Sequence, residues 1–264
     1  MAPHSDFLLS KWYLDCVEND GSAFIGYAAR LSWKSFSLNY ASTLRHNGES
    51  QPSVETSLRK SALPQMQDGS VTWSSSHLKV RGTWKALCAP VVRVLFESSE
   101  GSIKWYCLQP RAAADLRVGD CNIKGLGYVD RLDASVKPWL LPLDTLRWGR
   151  YLSDSHSVIW IDWKGPLQQS FLFYDGIQAD NCVITDDELT FNEGRNRLTL
   201  SEHMILRKGP LLSTSLSMIP GIKKIFPSRI LQMHECKWRS KASFQSAGTP
   251  PEQGWAIHEI VSLV

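Results

Sequence analysis

The sequence predicts a mainly β protein built of barrels or sandwiches, in two similar halves. Three observations carry that reading. Short runs rich in β-branched and aromatic residues recur along the chain, with turn residues between them. Long amphipathic helices are scarce. The 264 residues include 11 tryptophans, an excess suited to filling barrel cores or lining apolar ligand cavities.

Taken in order, the expected strands begin with Ala23–Leu31 and Phe36–Leu44, where aromatic and aliphatic residues recur. Val91–Glu97 and Ser102–Leu108 flank Ser98-Ser99-Glu100-Gly101 and read as a hairpin. Ala112–Val118, Gly125–Val136, Ser157–Trp163, Ser170–Tyr174, Leu189–Phe191, Arg197–Leu200 and Ile230–Trp238 follow. Turns are expected at Asn19-Asp20-Gly21, Asn47-Gly48, Asp68-Gly69, Asp175-Gly176 and Asn192-Glu193-Gly194. Two short helical pieces are expected, at Pro142–Trp148 and Ser215–Phe226. Trp12, a polar turn and Phe24-Ile25-Gly26-Tyr27 are echoed by Trp148, a polar turn and Val158-Ile159-Trp160-Ile161. This echo suggests duplication, with a boundary placed at residues 119–125. Ser240–Gly254 reads as the start of a mobile tail.

Composition excludes several classes. A net charge of +3 is too small to indicate a nucleic-acid protein. No apolar run approaches the ~18 residues of a membrane helix, and Met1–Ser10 lacks a basic leader, so a cytoplasmic location is expected. The six cysteines are scattered singly and the seven histidines are dispersed, which gives no metal cluster. The phosphate-loop, dinucleotide-fold and serine-elbow motifs are absent, so no cofactor is expected.

What remains is a set of acids and aromatics inside expected strands. Tyr128 and Asp130 are two apart and so share one strand face, as do Trp160 and Asp162. Trp148-Gly149-Arg150 sets a cation beside an aromatic. A carboxyl group in an apolar cavity keeps its proton, because desolvation disfavours the anion, and so can act as an acid. The plain alternatives are core packing for each tryptophan. For Asp130 they are an exposed position or pairing with Arg150 or Arg131.

The segments Lys11-Trp12-Tyr13-Leu14-Asp15, Gly125-x-Gly-Tyr128-x-Asp130, Leu146-Arg147-Trp148-Gly149-Arg150 and Glu235-x-Lys237-Trp238 resemble the carotenoid 1,2-hydratase (hydroxyneurosporene synthase) and AttH-like superfamily. Fungal lipocalin-like Diels–Alderases resemble the same architecture. The resemblance implies two tandem lipocalin-like (calycin-type) β-barrels, here residues 1–120 and 121–240, with 241–264 as tail. It implies a Tyr-x-Asp pair that protonates an alkene, landing on Tyr128 and Asp130. Trp84 matches the family's His-x-Trp, but Gly82 stands in place of the histidine.

Two functions follow as expectations. One is a cofactor-independent enzyme on a hydrophobic polyene, terpenoid or polyketide, working by hydration, isomerisation or cyclisation, the Diels–Alder type included. Asp130 and Tyr128 would be catalytic. Trp84, Trp148 and Trp160 would wall the cavity, with Arg150 and Asp162 also binding substrate. The other is a non-catalytic carrier of an apolar small molecule. Asp130 facing the cavity beside Tyr128 favours the enzyme, and Asp130 facing solvent favours the carrier.

Overall fold

A computed structural model describes residues 6–48, 51–214 and 226–262, and the chain divides after Leu141 into two compact units. The first unit contains β1 (Phe7–Val17), β2 (Ala23–Trp33), β3 (Phe36–His46), β4 (Ser53–Ser57), β5 (Gln65–Gln67), β6 (Ser70–Ser75), β7 (Val80–Ala86), β8 (Val91–Ser98), β9 (Gly101–Val118) and β10 (Cys121–Ala134). The second contains β11 (Thr145–Leu152), β12 (Ser157–Lys164), β13 (Gln169–Tyr174), β14 (Ile177–Gln178), β15 (Val183–Ile184), β16 (Glu188–Phe191), β17 (Asn196–Pro210), β18 (His234–Ser246) and β19 (Glu252–Ser262). A 3-10 turn at Pro138–Leu140 and a short α1 at Ser228–Gln232 are the helical pieces among the described residues.

Both sheets are antiparallel and curled, and they share one topology. The orders are β4-β3-β2-β1-β10-β9-β7-β6-β5 and β14-β13-β12-β11-β19-β18-β17-β16-β15, with β8 added on β9 in the first. In each unit the first strand lies between the second and the last. The mainly β, tandem barrel-like reading therefore holds. All five expected turns join neighbouring strands. Asp68 and Gly69 both adopt positive φ (49° and 71°), the geometry a two-residue hairpin needs.

Each unit buries its own aromatic-rich core. Trp12, Leu14, Phe24, Trp73, Trp84 and Leu116 pack together in the first. Tyr151, Trp160, Phe191, Leu198 and Phe244 do so in the second.

Four expectations are corrected. Residues 119–125 are not a boundary, since they form the β9–β10 turn and the start of β10, inside one continuous ladder. Ser240–Gly254 is not a tail. β18 runs on to Ser246 and β19 lies between β11 and β18, so residues 241–264 include a central strand of the second sheet. Within Pro142–Trp148 the chain is already strand from Thr145, because Trp148 and Arg150 are held in the ladder with β12 and β19. Ile230 lies in α1, and the strand expected there begins at His234. Most of the helix expected at Ser215–Phe226 lies outside the described residues.

Candidate active site

Tyr128 and Asp130 project from β10 on the face opposite the first unit's core. β10 keeps regular register with β1, setting Val129 against Leu14 and Asp130 against Tyr13. Val129 and Leu14 belong to the core cluster, so alternation sends Tyr128, Asp130, Tyr13 and Asp15 to the other face. That face is buried as well: Asp130 is 7% exposed, and Tyr128 and Asp15 are fully buried.

The Tyr128 hydroxyl donates to Asp130 Oδ2 at 2.7 Å, and Trp105 Nε1 donates to the same oxygen at 3.0 Å. Both donors occupy Oδ2, so a proton on this carboxyl belongs on Oδ1. The Cys107 thiol, opposite Asp130 on β9, also lies beside Tyr128. The Tyr13 ring meets those of Tyr128 and Tyr27 edge-on at 5.9 and 5.4 Å.

Burial pushes the Asp130 carboxyl up from 3.8 to about 6, against the hydrogen bonds from Trp105 and Tyr128 and the positive charge of Lys11. Burial and the charge of Asp130 push Tyr128 well above its ordinary value, so it stays a donor. Burial raises Cys107 too, which keeps it a thiol. The arrangement is a carboxyl that carries a proton in a useful fraction of molecules near neutral pH, held in one rotamer by two donors.

The other candidates divide between faces and units. Trp84 packs in the core on the far side of β10, and the nearest atoms to a side chain at Gly127 would be Asp15 O and the Trp84 ring. Its Nε1 donates to Asp15 O at 2.7 Å. It therefore supports β1 and β10 from behind and does not share a face with Asp130. A side chain at Gly82 would lie 2.7 Å from the Trp84 ring, which gives a physical reason for glycine where the resemblance has histidine.

Trp148, Arg150, Trp160 and Asp162 all belong to the second unit. Trp160 lies in its core over Gly149. Asp162 shares that face of β12, accepts from Ser170 Oγ at 2.6 Å, and pairs with Arg147 and Lys164. Trp148 and Arg150 alternate to the opposite face of β11. Arg150 is fully buried and donates to Trp255 O at 2.8 Å, and Lys237 Nζ lies 5.3 Å from the Trp148 ring centroid. Arg131 stacks on Tyr106 and pairs with Asp133.

Sequence reasoning counted Trp105 among the tryptophans but gave it no role. The β9–β10 hairpin pairs Val118 with Cys121, and unbroken register from there would set Gln109 against Asp130. Irregularities at Gly127/Val129 and Val129/Asp130 move the partner to Cys107, and with it bring Trp105 within reach. Pro110, which has no N–H for the ladder, sits at this break and was the visible signal.

Among the described residues no group of three or more His, Cys, Asp or Glu could hold a metal, and no helix is long and apolar enough to cross a membrane.

No known family's sequence profile matches the chain, and no curated protein does. Solved structures match over nearly its whole length and share its fold. CghA aligns with a TM-score of 0.58 at 12% identity, over 98% of this chain and 89% of that one. A putative AttH from Nitrosomonas europaea aligns at 0.57 and 10%, over 100% and 95%. Kievitone hydratase from Nectria haematococca aligns at 0.53 and 15%, over 97% and 88%. At such identities the likeness is one of fold, and it agrees with the resemblance read from the motifs.

Proposed function

We propose that this protein is a cofactor-independent enzyme that uses Asp130 as a general acid on an alkene of a hydrophobic polyene, terpenoid or polyketide. The observation that carries the reading is the protonatable Asp130 carboxyl, fixed by Tyr128 and Trp105 through one oxygen. The likeness to kievitone hydratase supports it at the level of fold.

In the proposed step the Oδ1 proton passes to one alkene carbon and the π pair forms the new C–H bond. The resulting cation takes up water, which returns a proton to the carboxylate. Loss of a neighbouring C–H proton to the carboxylate in place of water capture gives isomerisation, and attack by a second alkene closes a ring and leaves a new cation, which then loses a proton to the carboxylate or takes up water.

Reaction in deuterium oxide tests this. Linear polyenes, terpenoids and polyketides carrying an isolated alkene are incubated with the protein, and products are read by mass spectrometry. Acid catalysis puts one solvent deuteron on carbon, and Asp130→Asn lowers turnover about 10²–10⁴-fold. A product formed without carbon-bound deuterium, at undiminished rate in Asp130→Asn, points to a pericyclic reaction driven by confinement, whose holding of the substrate alone supplies up to about 7–11 kcal/mol.

A second reading is a carrier. It is favoured by the observation that Asp130 and Tyr128 line neither the cleft beside Glu18 and His46 nor the cleft beside Leu8 and Tyr106. Binding of such compounds without turnover of any of them would select it.

A further inference from the structure

The inner face of the first unit's sheet opens at one end into a cleft of about 530 Å³, within the range of small-molecule sites. Its floor follows from the ladder. Leu8 and Ser10 of β1, Arg30 and Ser32 of β2, Asp133 of β10 and Ser135 just beyond it, and Ser102, Lys104 and Tyr106 of β9 all line it. These residues alternate along four neighbouring strands on the side that carries Trp12, so the cleft is the outward continuation of the core and lies on the face opposite Asp130. Leu63, which packs on that same core, closes one wall.

One cross-strand row sets the chemistry. Arg30 lies opposite Ser10, Ser10 opposite Asp133, and Asp133 opposite Lys104. The charge of Asp133 is already met: Ser10 Oγ donates to it at 2.8 Å and Arg131 pairs with it at 3.1 Å. Among the described residues neither Arg30 nor Lys104 has a carboxylate partner. Arg30 is exposed, and Lys104 is half-buried against the Tyr106 ring. The Ser32 hydroxyl is half-buried with no hydrogen-bond partner among the described residues. The cleft thus offers two cations without a carboxylate partner and a hydroxyl above an apolar wall of Leu8, Leu63 and Tyr106.

We infer that this cleft is a binding site for an amphipathic organic anion, an apolar body ending in a carboxylate, with Arg30 and Lys104 receiving the carboxylate. Arginine matches the planar carboxylate fork and lysine supplies a mobile point charge. The apolar body lies against the leucines and Tyr106. The site is distinct from the Asp130 side chain and does not depend on any reaction there.

Calorimetric titration of the full-length protein with dodecanoate, and with dodecan-1-ol as the uncharged counterpart, both below their aggregation limits, tests the inference. Wild-type protein should bind dodecanoate more tightly than the alcohol. The double variant Arg30→Gln/Lys104→Gln should weaken dodecanoate about 10–100-fold, the range for hydrogen bonds to charged groups, and leave the alcohol unchanged. Ser32→Trp, which fills the cleft, should abolish both. These positions are exposed or half-buried, so circular dichroism should report the wild-type fold for each variant. Equal binding of dodecanoate by the double variant overturns the inference. So does no preference for the anion, no binding of either probe by wild type, or undiminished binding by Ser32→Trp.

Discussion

The acid role proposed for Asp130 requires its protonated form, and the value of about 6 sets the pH range in which that role can be tested. We expect kcat/KM to be level below about pH 6 and to fall tenfold per unit above it, because the protonated fraction does. Trp105 is the handle on this break. Its N–H holds the carboxyl down against the larger effect of burial. Trp105→Phe should therefore move the break upward, by about one unit, with the acid still functional. A profile that bends at the same pH in both proteins would remove Asp130 as the acid. At this scale the sequence was partly legible. The two-residue spacing of Tyr128 and Asp130 gave the shared face, and the structure adds the direct bond between them. The face itself was not readable, because alternation says which residues point together and not toward what. Trp84 and Asp130 are both buried, on opposite sides of one strand. Trp105 was hidden by a two-residue register shift, which Pro110 marks as a break in the ladder without giving its size.

Among the elements, the β11–β12 pair depends on close approach. Trp160 lies flat over Gly149, so that any Cβ there would overlap the ring. Gly149→Ala should destabilise the second unit by about 1–3 kcal/mol or more, the usual cost of overpacking. Adding Trp160→Phe should recover part of the loss, and the coupling is read from urea unfolding of the single and double variants. Additive losses would mean that the two positions do not compete for space. β19 makes a second test. It bridges β11 and β18 in the middle of the sheet, so ending the chain at residue 251 exposes two unpaired strand edges. Native-like circular dichroism and a cooperative transition in that truncated protein would contradict the assigned strand order. The polar composition of Ser240–Gly254 suggested a tail because a strand with one solvated side, closed by the Gly248 turn at φ 82°, carries the same residues as a loop. The echo of Trp12 in Trp148 located the first hairpin of each unit but slipped in register. Trp12 points into its core, whereas Trp148 points away from the core of Tyr151 and Trp160. A one-residue slip exchanges the faces, and the 136-residue spacing of the two tryptophans fits the division after Leu141 and not the boundary read at residues 119–125.

Across the whole molecule the two repeated sheets carry buried ionisable groups of opposite temper. In the first unit, Asp130 has its value raised from 3.8 to about 6. The native state therefore binds more protons than the unfolded chain between those values, and the stability Asp130 contributes is full below 3.8 and lost as pH rises through 6. In the second unit, His258 is 6% exposed, stacked on Trp238 and bonded to Ser240 Oγ. Burial, then the neighbouring His203 and Lys237, lower it from 6.5 to about 3, with Asp186 and Glu259 opposing. Here the unfolded chain binds more protons, so stability is full above 6.5 and lost as pH falls toward 3. At 1.36 kcal/mol per unit, the Asp130 shift is worth about 3 kcal/mol, and the His258 shift between pH 6.5 and 4 also about 3 kcal/mol. The two nearly cancel between pH 6 and 4, so wild-type protein should show little net change from this pair there. Each variant should uncover the other group. Asp130→Asn should gain on wild type by up to about 3 kcal/mol as pH rises from 3 to 8. His258→Gln should gain by a similar amount as pH falls from 8 to 4. Urea unfolding of the three proteins at pH 4, 6 and 8 measures both slopes. Parallel curves for wild type and Asp130→Asn would mean that the carboxyl ionises in the folded protein as it does in the unfolded chain. It would then be fully charged at neutral pH, and the acid mechanism would lose its proton.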